Sequence, residues 1–394
     1  MARRAVEEPD ALFFALGSRR GESRRGEAPP WYDVTWNPTA GCSAMGPGCD
    51  HCQALRTVAQ LARIGGKGGS RYAGLTLIDR EGLRWSGEIR MRTELITWPL
   101  LQRRSRRILL DSMSDPFHEK LSTATIDILH AVMQLAHWHQ FLVLTRRAER
   151  MRRYYSDPLT PRRIAAAIAE LPALAVAAAT GERRSGAAAT DDRRSGAAAT
   201  DDRRSGARRD AATVRSGEPA DAAVALGRWP LANLWPGVSV EDQERIGRIG
   251  ELLQMPAARR WACFQPLLGP VRPDAVPIGN RHAHALTGGR GRLDPGCTVP
   301  SAESAVPSLD WVLAGGEVGV GVRVTRAEWL RRLRDNCVEA GVPFFFQGWG
   351  EWAPEPDGFG DRMVRLGRRA GRLIDGRSWD ELPAALRRPA TPRR

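Results

Sequence analysis

Between Trp31 and Trp352 the chain alternates short apolar runs with longer stretches whose apolar residues recur every three to four positions. Brief apolar runs bounded by Gly, Pro or Asp read as strands, and three-to-four spacing reads as helix. Strands are therefore expected at Asp33–Trp36, Gly87–Met91, Arg107–Asp111, Phe141–Thr145, Leu234–Val240, Arg260–Phe264, Trp311–Ala314 and Val342–Phe346, with helices over Thr123–Ala136, Glu241–Gln254 and Arg326–Ala340. Ile108-Leu109-Leu110 and Phe344-Phe345-Phe346 are apolar without a break, the mark of strands covered on both faces in a parallel sheet. About eight strands, most followed by a helix, predict an α/β fold built as a partial or complete (β/α) barrel, TIM barrel-like, with an open doubly wound sheet as the alternative.

The pattern divides the chain. Residues 1–30 are polar and Arg-rich and read as a loosely ordered extension, and 31–180 form the N-terminal part of the α/β unit. The decapeptide Arg183–Asp192 recurs identically at 193–202 and a third copy begins at Arg203, with nothing in it to bury, so 181–227 is expected to be a disordered insertion. Residues 228–352 carry the C-terminal part, interrupted by a Gly- and Pro-rich stretch, 273–307, expected to be a long loop; 353–394 reads as an Arg-rich tail.

The 394 residues are 42% hydrophobic and carry a formal charge of +14. No apolar run approaches the ~18 residues of a membrane span, and the patch Ala11–Leu16 is too short for a signal-peptide core, so the expected location is cytoplasmic. The charge favours a polyanionic partner such as nucleic acid, but only Lys67 and Lys120 are lysines, so a bias toward arginine accounts for part of the excess.

Three of the six cysteines, Cys42, Cys49 and Cys52, fall just after the first expected strand, around the turn Gly46-Pro47-Gly48. Three thiolates on such a loop can converge on a metal, and three protein ligands leave one position open, which on a cubane iron–sulfur cluster is where substrate or cofactor chemistry occurs. Structural zinc, with a fourth ligand from His51, Cys263, Cys297 or Cys337, and unligated thiols stay open as alternatives; Cys263 and Cys337 read as buried hydrophobes. Other candidates follow the expected strands: Asp111, Asp115 and His118 as acid/base groups, Arg146 and Arg147 as phosphate contacts, Ser239, Glu241 and Asp242 at the next rim position, and Gly315-Gly316-Glu317, where a glycine turn allows close backbone approach and a carboxylate can take an amino group. Trp349 is expected to pack in the core.

Thr35-Trp36-Asn37-Pro38, Gly41-Cys42, Pro47-Gly48-Cys49, Asp111-Ser112-Met113-Ser114-Asp115, Val143-Leu144-Thr145, Gly237 to Gln243, Pro266 to Pro270, Gly315-Gly316-Glu317 and Phe344-Phe345-Phe346 together resemble a phage-derived family of unknown function that carries a three-cysteine motif. Its cysteine loop and strand series look like those of radical S-adenosylmethionine (SAM) enzymes. The resemblance implies that Cys42, Cys49 and Cys52 hold a [4Fe-4S] cluster whose unique iron is chelated by SAM, and that Gly315, Gly316 and Glu317, with Ser239, belong to the SAM subsite. It also implies a partner protein encoded nearby. The chain departs from the usual pattern in its six-residue gap between Cys42 and Cys49, in Gln53 and Leu55 after the last cysteine, in Gln265, and in Gln347 after the triple Phe.

Overall fold

The computed structural model describes residues 31–64, 69–80, 82–171, 228–291, 306–355, 362–367 and 370–387. The expected N-terminal extension, the repeat insertion and Cys297 lie outside them.

Seven strands form one parallel sheet: β1 (Val34–Trp36), β2 (Arg107–Leu110), β3 (Gln140–Thr145), β4 (Leu234–Ser239), β5 (Trp261–Phe264), β6 (Trp311–Gly315) and β7 (Phe344–Gly348). They lie side by side in chain order, each hydrogen-bonded to the next, with no reversal. A sheet laid down in one direction has no switch point at which a doubly wound fold binds its ligand, and it curls into a half-barrel. The eighth expected strand is corrected: within Gly87–Met91 only Arg90–Met91 pairs, antiparallel to Thr39–Ala40 and outside the main sheet.

Among the helices of the described residues are α1 (Gln53–Ile64), α2 (Thr123–Leu135), α3 (Ala148–Ser156), α4 (Gly247–Leu253) and α5 (Ala327–Glu339). Period-two alternation assigns strand residues to two faces. Ile108, Leu110, Phe141, Val143, Val238, Phe264, Val312 and Phe344 share a core with Leu129, Val132, Ile249, Leu252, Leu330, Leu333 and Cys337 of α2, α4 and α5. The opposite face carries Leu109, Leu142, Trp235, Cys263, Leu313 and Phe345. There Trp261 and Trp311 stack at 5.4 Å, and Trp31, just ahead of β1, lies 5.4 Å and 5.9 Å from them. Gly237 lets the indole of Trp261 lie across β4, since a side chain there would run into it. The Trp31 indole N–H donates to Gln347 on β7 at 3.2 Å, so one of the unusual glutamines links the two edges of the curled sheet.

The stretch read as a long loop instead forms, in its described part, a small antiparallel sheet of Val276–Ile278, Arg281–Ala283 and Arg290–Gly291, which takes the place of a helix between β5 and β6. Val276, Ala283, Ala285 and Leu286 are buried, which is why a segment so rich in Gly and Pro is ordered there. The C-terminal stretch is not a plain tail either: Trp352–Pro354 pairs with Met363–Arg365, Asp380 bridges to Phe345, and Trp379 and Leu386 are buried. No helix among the described residues is long and apolar enough to cross a membrane.

Candidate functional site

All seven strands point their C-terminal ends at one rim, the end of such sheets where loops carry chemistry. The segment Gly41 to Cys52 leaves the short strand Thr39–Ala40, makes a 3-10 turn at Pro47–Cys49 and enters α1.

Four arginines from three strand ends hold this loop by its carbonyl oxygens. Arg147 after β3 donates to Ser43 O at 3.4 Å and Ser43 Oγ at 2.7 Å; Arg146 donates to Gly48 O at 3.4 Å. Arg248 on α4, beyond β4, reaches Met45 O at 3.3 Å, and Arg323, beyond β6, reaches Pro47 O at 2.6 Å. Each guanidinium also meets a buried carboxylate. Glu241 takes Arg146 and Arg248, each at 2.8 Å; Asp115 takes Arg147 at 3.0 Å; Glu317 takes Arg323. Paired charges make burial of the arginines tolerable, and their fixed forks fix the loop. The turn is pressed so closely on the rim that any side chain at Gly48 would collide with Glu241.

The residues expected to be catalytic are therefore brought together as counter-ions and braces. Asp115 also accepts the Thr145 hydroxyl at 2.6 Å and the Phe117 and Arg146 amides at 2.9 Å and 3.1 Å. His118 has Nδ1 accepting the Lys120 amide, so its Nε2 carries the proton and faces Ser43 Oγ at 2.9 Å; burial, helped by Arg147, lowers its pKa. Ser239 is buried at the end of β4 and its carbonyl accepts Arg248 at 2.7 Å. Asp242 caps the 3-10 turn Gln243–Arg245. Arg146 and Arg147, expected as phosphate contacts, are turned toward the cysteine loop and its carboxylates instead.

Asp111 stands at the end of β2 in the left-handed region, φ 51°, with Oδ1 accepting the Thr39 amide at 3.1 Å. Burial pushes its carboxyl up to about 7 from 3.8, against the opposing Thr39 hydrogen bonds. The folded state thus binds this proton more tightly than the unfolded chain, so the stabilisation is complete below pH 3.8 and is lost as pH rises through about 7. Asp111→Asn is expected to remove this dependence. Urea midpoints of both proteins at about pH 5 and about pH 8 check it: wild type gains on the variant at the lower pH, and a gap that stays constant refutes the assignment.

Gly315 and Gly316 close β6, where Gly315 O accepts Leu267 N–H at 3.0 Å and Gly316 N–H donates to Gly348 O at 2.9 Å; the Gln265 side chain lies across Gly315. Trp349 is buried beside Phe346 and donates to Leu373 O at 2.8 Å, as core packing requires.

The thiols lie within reach of these charges. Arg147 Nη1 is 3.9 Å from Cys42 Sγ, and Met45 N–H donates to Cys49 Sγ at 3.4 Å. Burial pushes the Cys42 thiol up to about 12, with Asp115 adding and Arg147 opposing; Cys49 and Cys52 act on it as well. Cys52, directly ahead of α1, is raised by burial against hydrogen bonds from the Leu55 and Ala54 backbone. Cys263 and Cys337 are buried, as expected. Among the described residues no group of three or more His, Cys, Asp and Glu is arranged to hold a metal ion.

Residues 28–383 match the family described as protein of unknown function DUF5131. The chain belongs to this family. The match runs from just ahead of Trp31 to Pro383, so the DUF5131 segment takes in the sheet, the cysteine loop and its arginine anchors. Searches of curated proteins and of solved structures returned no match.

Arg248 and Arg323 do not stand out in the sequence. With 59 Lys and Arg in the chain, and only two of them Lys, neither carried a distinguishing mark; their proximity to the loop comes from strand order alone.

Proposed function

We propose that this protein is an iron–sulfur enzyme of the radical SAM kind, with Cys42, Cys49 and Cys52 as cluster ligands. The observation that supports this best is placement: three thiols on a loop fixed over the C-terminal rim of a parallel half-barrel whose strands run in chain order. The thiols also act on one another's charge, Cys49 and Cys52 both raising the Cys42 thiol.

A [4Fe-4S] cluster with SAM would supply one-electron SAM cleavage and a radical that takes hydrogen from a substrate. The chain's own residues prepare the place. The amides of Met45, Ala54 and Leu55 and the Arg147 guanidinium direct donors at the sulfurs, the outer-sphere contacts that tune such sites. The tryptophans fill the concave face below the rim, leaving substrate to approach from the loop side. The surplus of +14 favours a polyanionic substrate, and nucleic acid is our proposal for its class.

Anaerobic reconstitution followed by iron, sulfide and zinc analysis and EPR with and without SAM tests the reading. We expect about four iron and four sulfide per chain and a signal that SAM perturbs, both missing from the Cys42→Ala, Cys49→Ala, Cys52→Ala triple variant. Zinc near one per chain without a response to SAM would overturn it in favour of a zinc-stabilised nucleic-acid-binding protein. Metal-free protein in both cases would point to a member that keeps the fold without the chemistry.

A further inference from the structure

Arg323 is bonded to two elements far apart in the chain. On its own side it uses both oxygens of Glu317: the Arg323 amide donates to Oε2 at 2.8 Å, Nε to Oε2 at 3.2 Å, and Nη2 to Oε1. Across the rim, Nη1 donates to Asp50 Oδ2 at 3.0 Å and Nη2 to Pro47 O at 2.6 Å. Pro47 and Asp50 bracket Cys49 in the 3-10 turn, where Cys49 N–H donates to Gly46 O and Asp50 N–H to Pro47 O. Arg146, Arg147 and Arg248 hold residues 43, 45 and 48 from the β3 and β4 side, and Arg323 holds the turn from the β6 side.

Glu317 is buried and both its oxygens are taken, so its charge is spent on orienting the Arg323 fork. Without that carboxylate the guanidinium is left over the turn with only the Pro47 carbonyl and Asp50, which is exposed and holds it weakly. We propose that Glu317 and Arg323 act as one positioning unit that fixes the cysteine loop, and the Cys49 sulfur in particular. The glutamate of the Gly-Gly-Glu turn thereby acts on the thiols through the arginine. The unit works on the metal-free chain, so it goes beyond the iron–sulfur reading and does not depend on it.

The test uses full-length, metal-free protein under reducing, anaerobic conditions. Iodoacetamide labelling of each cysteine is followed by mass spectrometry in wild type, Arg323→Gln, Glu317→Gln, the double variant, Arg323→Lys and the control Arg334→Gln, whose partners Asp335 and Asp375 lie elsewhere. Each single variant in the unit is expected to label Cys49 about tenfold faster, through local opening of the turn, with Cys263 and Cys337 unchanged. The double variant is expected to label no faster than the faster single, because both lesions break one unit. Arg323→Lys keeps the charge and is expected to label more slowly than Arg323→Gln. Wild-type labelling in Arg323→Gln, additive effects in the double variant, equal rates in Lys and Gln, or the same acceleration in Arg334→Gln would each overturn the proposal. Iron analysis plays no part here, so failure of this unit and failure of the iron–sulfur reading are told apart.

Discussion

Glu241→Gln is expected to lower the free energy of unfolding by about 3 kcal/mol, because it strands two guanidinium groups in a site built around one carboxylate. Glu241 is fully buried, its partners Arg146 and Arg248 retain 24% and 13% side-chain exposure, and each pair closes at 2.8 Å. Glutamine keeps the shape and one acceptor but removes the charge that offsets two desolvated cations. The loss is also local: Arg146 and Arg248 carry Gly48 and Met45, so the cysteine loop is freed from the β3 and β4 side. Urea unfolding gives the global change, and exchange of the amides of residues 43–52 gives the local one. A fall below about 1 kcal/mol, or unaltered exchange in the loop, would show that solvent compensates the arginines.

Trp261→Ala is expected to cost about 4 kcal/mol, near the upper range for loss of a large buried side chain. Its indole is fully buried, stacks on Trp311 at 5.4 Å with an interplanar angle of 29°, and lies the same distance from Trp31. Its N–H donates to Trp235 O at 2.9 Å, so truncation also leaves a buried carbonyl without this partner. Neighbouring side chains can close the gap only partly, because they hang from strands fixed by the parallel ladder. Trp261→Phe retains much of the volume and is expected to cost less than half as much. Equal losses in the two variants, read from denaturant midpoints, would mean that the hydrogen bond and not the packing carries the effect.

Much of this architecture was legible in the sequence because its strands are buried on both faces. Runs such as Phe344-Phe345-Phe346 and Ile108-Leu109-Leu110 have one plausible use in a chain of this composition. Sequence periodicity does not say which sheet a strand joins, so Arg90–Met91 was expected beside the main strands yet pairs with Thr39–Ala40. Nor does local composition register a few apolar residues scattered among Gly, Pro and His, as Val276, Ala283 and Leu286 are, so their sheet read as a loop. At the rim, the cysteine spacing marked the loop, and the carboxylates after the strands were flagged as chemical groups. Their use as arginine counter-ions was hidden, because ion pairs such as Arg146–Glu241 join residues 95 positions apart. That relation exists only once the strands are side by side.

The loop and its last anchor enter the world at different times. Pro47 is translated 276 positions before Arg323. At bacterial to eukaryotic elongation rates of about 5–20 residues per second, the thiols wait roughly 15–55 s on the ribosome before the arginine that completes their support has been made. During that interval β2 to β6 are made one after another, but β7 does not yet exist, and the curled sheet has no second edge for Trp31 to meet. Final fixing of the cysteine loop is thereby a late event in the life of the polypeptide, and a chain truncated before Arg323 would lack the anchor that holds the turn at Pro47.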